Sequence, residues 1–462
     1  MRVLLVVYDN ASYTHIFPMG MGYVASVLEK SGHDVDVYSQ DQHHYPDEHL
    51  TQYLNENKYD VIGVSLIAGY YQYQKLLGIS KAIDRSKNRP IYIIGGYGPT
   101  PEPEFFLHKT GADIIVMGEG EETTVELMTA LADKTPLDSV AGIAFRNGKE
   151  VTINPRRPLI EDLDSIPWPA YHKFPIEYYR MVREVNAGPL DFTIPMMSAR
   201  GCTFKCTFCY RMDTGYRARN PKDLLDEVEF LNKEYGITYV SFQDDLLMSS
   251  VSHTEDVCRE FVRRNLGVKW NCNGRLNYCS LDLLKMMKQA GCVFINYGIE
   301  SMDNEVLKKM KKGLREEQIV KGIEETLEVG ISPGLNMMFG NIGDTRETLK
   351  KAVDFLVKYD DFAQMRTIRP VTPYPGSPLY FDAIGKGMIK DVEDFYENKH
   401  LNSDLLAANF TEMSDDEVYE CLAEANTTLL ENYHNAAKQG ALAQVKTLYG
   451  GKDANFRGFR QI

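Results

Sequence analysis

Arg200-Gly201-Cys202-Thr203-Phe204-Lys205-Cys206-Thr207-Phe208-Cys209-Tyr210 sets three cysteines in a C-x3-C-x2-C spacing. Iron–sulfur cubanes are ordinarily held by four thiolates. A tight triplet without a fourth thiolate leaves one iron of such a cluster open to something that binds and reacts. Two other readings compete with this one. A structural zinc site wants a fourth Cys or His at ribbon-like spacing, yet the next cysteine is Cys258 and the next histidine His253. Buried core thiols are common for cysteine, but Lys205, Thr203 and Thr207 make the stretch a poor core segment. Cys258, Cys272, Cys279, Cys292 and Cys421 occur singly in apolar or strand-like surroundings. They read as core thiols, and no disulfide framework is indicated.

Around the triplet, the pattern predicts strands over 193–198, 239–243, 269–273, 293–298, 334–339 and 365–370. Helices over 222–235, 252–265, 280–290 and 345–358 alternate with them. Six such units describe a partial (β/α)6 barrel, whose chemistry belongs at the carboxyl ends of its strands. The triplet follows the first of them. The other strand ends are Gln243-Asp244-Asp245, Asn273-Gly274-Arg275 and Gly298-Ile299-Glu300-Ser301.

Before the barrel, strands over 2–8, 34–38, 60–66, 91–94 and 114–117 alternate with helices such as 20–31 and 72–86. This predicts a doubly wound, Rossmann-like sheet that binds ligand at its carboxyl-end loops. Those loops are Tyr8-Asp9-Asn10, Ser65-Leu66, Gly95-Gly96-Tyr97-Gly98 and Gly118-Glu119-Gly120-Glu121. The dinucleotide fingerprint is absent after the first strand. The domain reading is thus an α/β chain with a sheet domain over 1–138, a linker over 139–190, a barrel over 191–390 and a C-terminal helical segment over 391–462. The linker holds a short hairpin around Asn147-Gly148 and prolines at 155, 158, 167 and 169 that oppose regular structure. In the last segment Ser414 opens a helix over 414–438. The tail bearing Tyr396, His400, Tyr419 and His434 is expected to cover the barrel mouth.

Composition narrows the function. The 462 residues are 44% apolar and 25% charged, with a net charge of −14. That balance opposes a nucleic-acid partner, since no basic face stands out to release counterions. No apolar run is long enough to span a bilayer, and Val3 to Val7 reads as a strand and not as part of a signal peptide. The expected compartment is the cytoplasm.

The cysteine triplet and its flanks resemble the radical S-adenosylmethionine (radical SAM) enzymes. The preceding sheet, with Pro18-Met19-Gly20-Met21-Gly22-Tyr23 and the glycine loops, resembles the cobalamin-binding domain of one large branch of that family. The resemblance implies a [4Fe-4S] cluster on Cys202, Cys206 and Cys209, with SAM chelating the open iron and cleaved to a 5′-deoxyadenosyl radical. The runs at Asp244, Arg275 and Glu300 resemble the branch's F-x-D-D, N-G-R and G-x-E-S signatures. They imply that Glu300 grips the ribose and Arg275 the carboxylate, with Asp244 and Ser301 beside them and Tyr210 near the adenine. Each is also a residue type found at solvated strand ends or in ion pairs, Asp245 above all. Phe204 and Phe208 are expected to shield the cluster.

Gly340-Asn341-Ile342-Gly343-Asp344-Thr345 and Thr372-Pro373-Tyr374-Pro375-Gly376-Ser377-Pro378-Leu379 resemble two later loops of the family. For cobalamin the implied contacts are Ser65, Gly95, Gly96, Gly118 and Glu119. A lower-ligand D-x-H-x-x-G is missing: Tyr13-Thr14-His15 lacks the Asp and Gly, and Asp41-Gln42-His43 lacks the Gly. The leading implied activity is cobalamin-dependent methylation of an unactivated carbon in a small molecule. Radical cyclisation, dehydration or rearrangement with a vestigial first domain is the second reading. A cobalamin or redox sensor is the third, opposed by the SAM-shaped strand ends. The implied partners are a small-molecule substrate and an electron donor such as flavodoxin or ferredoxin.

Overall fold

Val3, Leu4, Leu5, Val6 and Val7 are all buried, a continuous apolar run of the kind a strand covered on both faces requires. They form β1 (Arg2–Val7) in a computed structural model that describes residues 1–9, 11, 16–67, 69–148, 150–212 and 214–456. Asn10 and the 12–15 stretch with His15 lie outside the described residues. β1 is joined by β2 (Asp34–Ser39), β3 (Val61–Ser65), β4 (Ile91–Gly95), β5 (Ile114–Val116), β6 (Ile143–Asn147) and β7 (Glu150–Ile153). The sheet order is β2-β1-β3-β4-β5-β6-β7. β1 to β5 are parallel, and the strand order reverses at β1. The loops after β1 and β3 therefore flank the switch point where doubly wound sheets bind ligand.

The hairpin expected in the linker belongs instead to this sheet. β6 pairs antiparallel with β5, matching Ile114 to Phe145 and Val116 to Ile143. Ile143, Ala144 and Phe145 are buried, so the edge of β5 is covered by apolar residues that would otherwise face water. The first sheet thus runs to Ile153. The connector proper begins after it and packs Tyr171, Phe174 and Tyr179 around Phe17, joining both domains in one apolar cluster.

The second domain contains β8 (Thr193–Met196), β9 (Ala199–Arg200), β10 (Arg217–Ala218), β11 (Tyr239–Phe242), β12 (Lys269–Gly274), β13 (Cys292–Glu300), β14 (Ser332–Phe339) and β15 (Arg369–Pro370). Six of these form a parallel sheet in the order β15-β14-β13-β12-β11-β8, while β9 and β10 make a separate antiparallel ribbon. Helices such as Pro221–Tyr235, Val251–Arg264 and Leu281–Gln289 start at Asn220, Ser250 and Ser280, whose side chains accept from the first-turn N–H groups. The last strand is shorter than expected, Arg369–Pro370 in place of 365–370. The C-terminal helix is longer, Asp415–Gly451. A capping box at Ser414 and Glu417 starts it, and the lone Gly440 does not stop it. Among the described residues no helix is long and apolar enough to cross a membrane.

The two domains are also joined by charge. Arg200 and Arg217, on the β9–β10 ribbon, reach Glu119 at 2.7 and 2.9 Å, and Arg200 also reaches Glu121 at 2.5 Å. Ile160 N–H donates to Glu119 at 2.7 Å. Burial pushes the Glu119 carboxyl up, but Arg217 and Arg200 outweigh it and hold it below the usual range. Glu119→Ala should cost about 3–5 kcal/mol in chemical denaturation, the range for breaking a buried pair. Because this folded-state pKa is depressed, the difference from wild type should be full at neutral pH and shrink as pH falls below about 4.3.

Candidate active site

The β9–β10 ribbon clamps the base of the cysteine loop, and a carboxylate below it sets the loop's entry. Asp244, at the end of β11, accepts from Ser198 N–H at 2.7 Å, from Ala199 N–H at 3.0 Å and from the Ser198 hydroxyl. It is 2% exposed. The expected SAM carboxylate is thus enclosed beneath the loop it anchors, because the backbone turn at 198–199 supplies donors that only an acceptor can meet. Burial pushes its carboxyl up to about 6. Further pins hold the loop: Thr207 N–H donates to Met310 O at 3.0 Å, Leu379 N–H to Thr207 O at 2.9 Å, and Arg211 Nη1 to Phe204 O at 2.8 Å.

Cys206 is buried, while Cys202 is partly open and Cys209 faces a cavity. The protein crowding around the Cys209 sulfur pushes its thiol up to about 12, with Cys206 and Asp245 adding to the effect. Among the described residues no three His, Cys, Asp or Glu side chains are gathered as one metal ion would need.

Glu300 ends β13 with φ +73, a left-handed backbone that a non-glycine residue adopts at a cost and mostly at functional sites. A register shift between Gly298 and Glu300 produces it. The side chain is 10% exposed and pairs with Lys312 Nζ at 2.9 Å, and it lines the cavity. A Cβ on Gly298 would lie 3.0 Å from Lys312 Nζ and closer still to Glu300 Oε1, so glycine makes room for the pair. Lys312 was not picked out from sequence; the only signal was its place in Lys311-Lys312-Gly313, beyond any recognised strand end. Ser301 is buried and accepts from Asp303 N–H at 3.1 Å, a turn contact. Arg275 turns toward the cysteine loop. Its guanidinium lies 3.4 Å over the Phe204 ring, and Nη1 is 3.9 Å from Cys206 Sγ.

The cavity, about 740 Å³, joins the two domains. Cys209, Tyr210 and Glu300 line one side, and Ile67, Tyr97 and Gly98 come from the carboxyl end of the first sheet. Tyr210 packs edge-on to Tyr97 at 6.3 Å and against Gly376, where a Cβ would come within 2.6 Å of the ring. Ser65 and Gly95 pair at the ends of β3 and β4. Gly96 has φ +102, and a Cβ there would collide with Leu66 O. Gly118 has φ +79 with open space beside it, whereas the Glu119 carboxylate is committed to the arginines described above. From the tail, Tyr396 lines the cavity and His400 is enclosed behind Tyr374, its ring pushed down to about 4 by burial. Tyr419 accepts from Leu406 N–H at 3.0 Å, away from the mouth.

Family models match this chain in two places, the radical SAM superfamily over residues 196–356 and the B12 binding domain over residues 6–128. The chain thus combines a B12-binding domain with a radical SAM domain. It is 28% identical over 379 residues to an uncharacterized methyltransferase of Pyrococcus horikoshii, covering 80% of this chain and 79% of that protein. It is 27% identical over 395 residues to an anaerobic magnesium-protoporphyrin IX monomethyl ester cyclase of Rubrivivax gelatinosus, covering 82% and 68%. In fold it is similar to the radical SAM methyltransferase TsrM of Kitasatospora setae, solved with cobalamin and a [4Fe-4S] cluster. The TM-score is 0.68 at 20% identity, over 83% of this chain and 75% of that one.

The radical SAM domain implies a [4Fe-4S] cluster and SAM, the B12-binding domain supports cobalamin, and the residues present fit these groups. The three thiols sit on one pinned loop, and a buried guanidinium nitrogen beside them, Arg275 Nη2, has no hydrogen-bond partner. On the cobalamin side, Gly98, Ile67 and Tyr97 face the same cavity, Ile67 and Tyr97 being 61% and 37% exposed, whereas Ser65, Gly95, Gly96 and Gly118 do not line it. His44 pairs with Asp9 at 2.9 Å. Asp244→Asn would set an amide N–H₂ against donors, so the reconstituted variant should hold clearly fewer than about four irons per chain by colorimetric iron assay.

Proposed function

We propose that this radical SAM enzyme methylates an unactivated carbon of a small molecule. The observation that carries the proposal is the shared cavity: the cysteine loop and the carboxyl end of the B12-binding sheet open into the same space. When bound, the cluster and SAM supply a 5′-deoxyadenosyl radical and cobalamin supplies a transferable methyl group. The chain's own residues bind, orient and exclude water. Glu300, fixed by Lys312, offers carboxylate oxygens to a ribose diol. Arg275 Nη2 is a free donor for an anionic group such as the SAM carboxylate. Tyr210, held by Gly376, gives a flat apolar surface for a nucleobase. Ser65, Gly95, Gly96 and Gly118 would let a corrin approach the backbone. Leu335, Met337 and Met338 wall the cavity from β14, and a dry wall protects a reactive radical from side reactions. A one-electron donor of the flavodoxin or ferredoxin kind completes the reading.

The cyclase among the relatives favours a second reading, in which the radical is used without methyl transfer. Anaerobically reconstituted wild type with a reductant should bind about four irons per chain and release 5′-deoxyadenosine from SAM. Cleavage that persists in Cys206→Ala would count against the cluster assignment. Protein from cells grown with excess cobalamin should show a base-off absorption spectrum, and a colourless preparation would favour the second reading. Glu300→Gln should weaken SAM binding about 10- to 100-fold, the range for losing a charge-assisted hydrogen bond, as measured by equilibrium dialysis.

A further inference from the structure

We infer that Arg275 is a positioning residue for electron entry: its guanidinium acts on the Cys206 thiolate and raises the reduction potential of the cluster held by the cysteine loop. This rests on the cluster assignment and goes beyond the role in binding SAM that Arg275 would share with other cationic residues. The geometry differs from that of a simple ligand anchor. Nη1 stands 3.9 Å from Cys206 Sγ, within reach of a sulfur hydrogen bond. The guanidinium carbon lies 3.4 Å from the centroid of the Phe204 ring, a residue of the same loop, so the cation sits against the loop and is not part of the cavity lining. Nε donates to Asn277 Oδ1 at 3.0 Å, and Asn277 Nδ2 donates to Gly313 O at 2.7 Å. The side chain is therefore held at two points, and it is 5% exposed.

Two physical effects act in the same direction. Adding one electron to a 2+ cluster increases the negative charge on its sulfurs, so a nearby cation stabilises the reduced 1+ state more than the oxidised one. A hydrogen bond to a cluster sulfur likewise favours the more electron-rich reduced state. The environment around the guanidinium is dry, so its charge is poorly screened. Of the other cations close to the loop, Lys312 Nζ is paired with Glu300 at 2.9 Å and Arg211 Nη1 donates to Phe204 O at 2.8 Å. Arg275 has no carboxylate partner among the salt bridges of the described residues, so its charge is available to the cluster.

The test uses the full-length, anaerobically reconstituted protein without SAM and compares wild type with Arg275→Met and Arg275→Lys. Each is titrated with dithionite against redox mediators, and the reduced cluster is counted by electron paramagnetic resonance. Only preparations with matched iron content are compared. At the wild-type midpoint, Arg275→Met should show about a tenfold lower ratio of reduced to oxidised cluster, which is about 59 mV for one electron. Arg275→Lys should fall between the two, since it keeps a charge and loses the stacked fork. If Arg275→Met does not retain its cluster, Phe204→Leu takes its place: it leaves the ligands and removes the ring under the guanidinium, and its midpoint should move in the same direction as that of Arg275→Lys. SAM binding is measured on the same samples. Unchanged midpoints with weakened SAM binding would overturn the inference and reduce Arg275 to a ligand anchor. That outcome would leave the cluster assignment standing, because loss of iron in Cys206→Ala tests it separately.

Discussion

The buried carboxylate of Asp244 is the constraint on which the site depends. A chain leaving a parallel strand and turning at once into a ligand loop exposes backbone N–H groups that no sheet neighbour can meet. Asp244, arriving from the adjacent strand, meets them at Ser198 and Ala199. Its burial makes ionisation costly, and its three donors offset that cost only in this geometry. The loop that follows is then closed by the β9–β10 ribbon, so the cysteines begin and end their excursion from fixed points. The cost of ordering such a loop is met by its surroundings and not by its own contacts.

The same ribbon gives the two domains a common reference. Its arginines meet Glu119 and Glu121, from the loop and helix that follow β5 of the first sheet. The loop after β5 and the cysteine loop are therefore tied by one buried charge network. Surface ion pairs contribute little; this one is enclosed, which makes its integrity a condition for the domains to face each other correctly.

Much of the architecture was legible from residue pattern. The alternation of apolar runs with amphipathic segments located nearly every parallel strand, and the cysteine triplet follows the end of β8 as its pattern predicted. What was not legible depended on partners distant in sequence. The hairpin at 143–153 looks like linker by its length and following prolines, and only pairing with Ile114 and Val116 makes it sheet. Asp244 and Glu119 have the side chains of ligand-binding residues, and their actual partners lie 46 and 81 positions away. Lys312 carried no local signal, because its value comes from a strained turn at Glu300. Glycine loops were easier to read, since Gly96 and Gly376 sit where any Cβ would collide.

The two edge strands of the barrel sheet, β8 and β15, do not pair with each other. The bore of this half-barrel is consequently not fixed by a closed ring of ladder hydrogen bonds. Its width on the open side is set by the 364–375 segment, which lines the cavity with side chains and contributes only two residues to the sheet. Insertions or exchanges in that segment can resize the bore while the strands remain as they are, so one rigid scaffold can serve guests of very different girth.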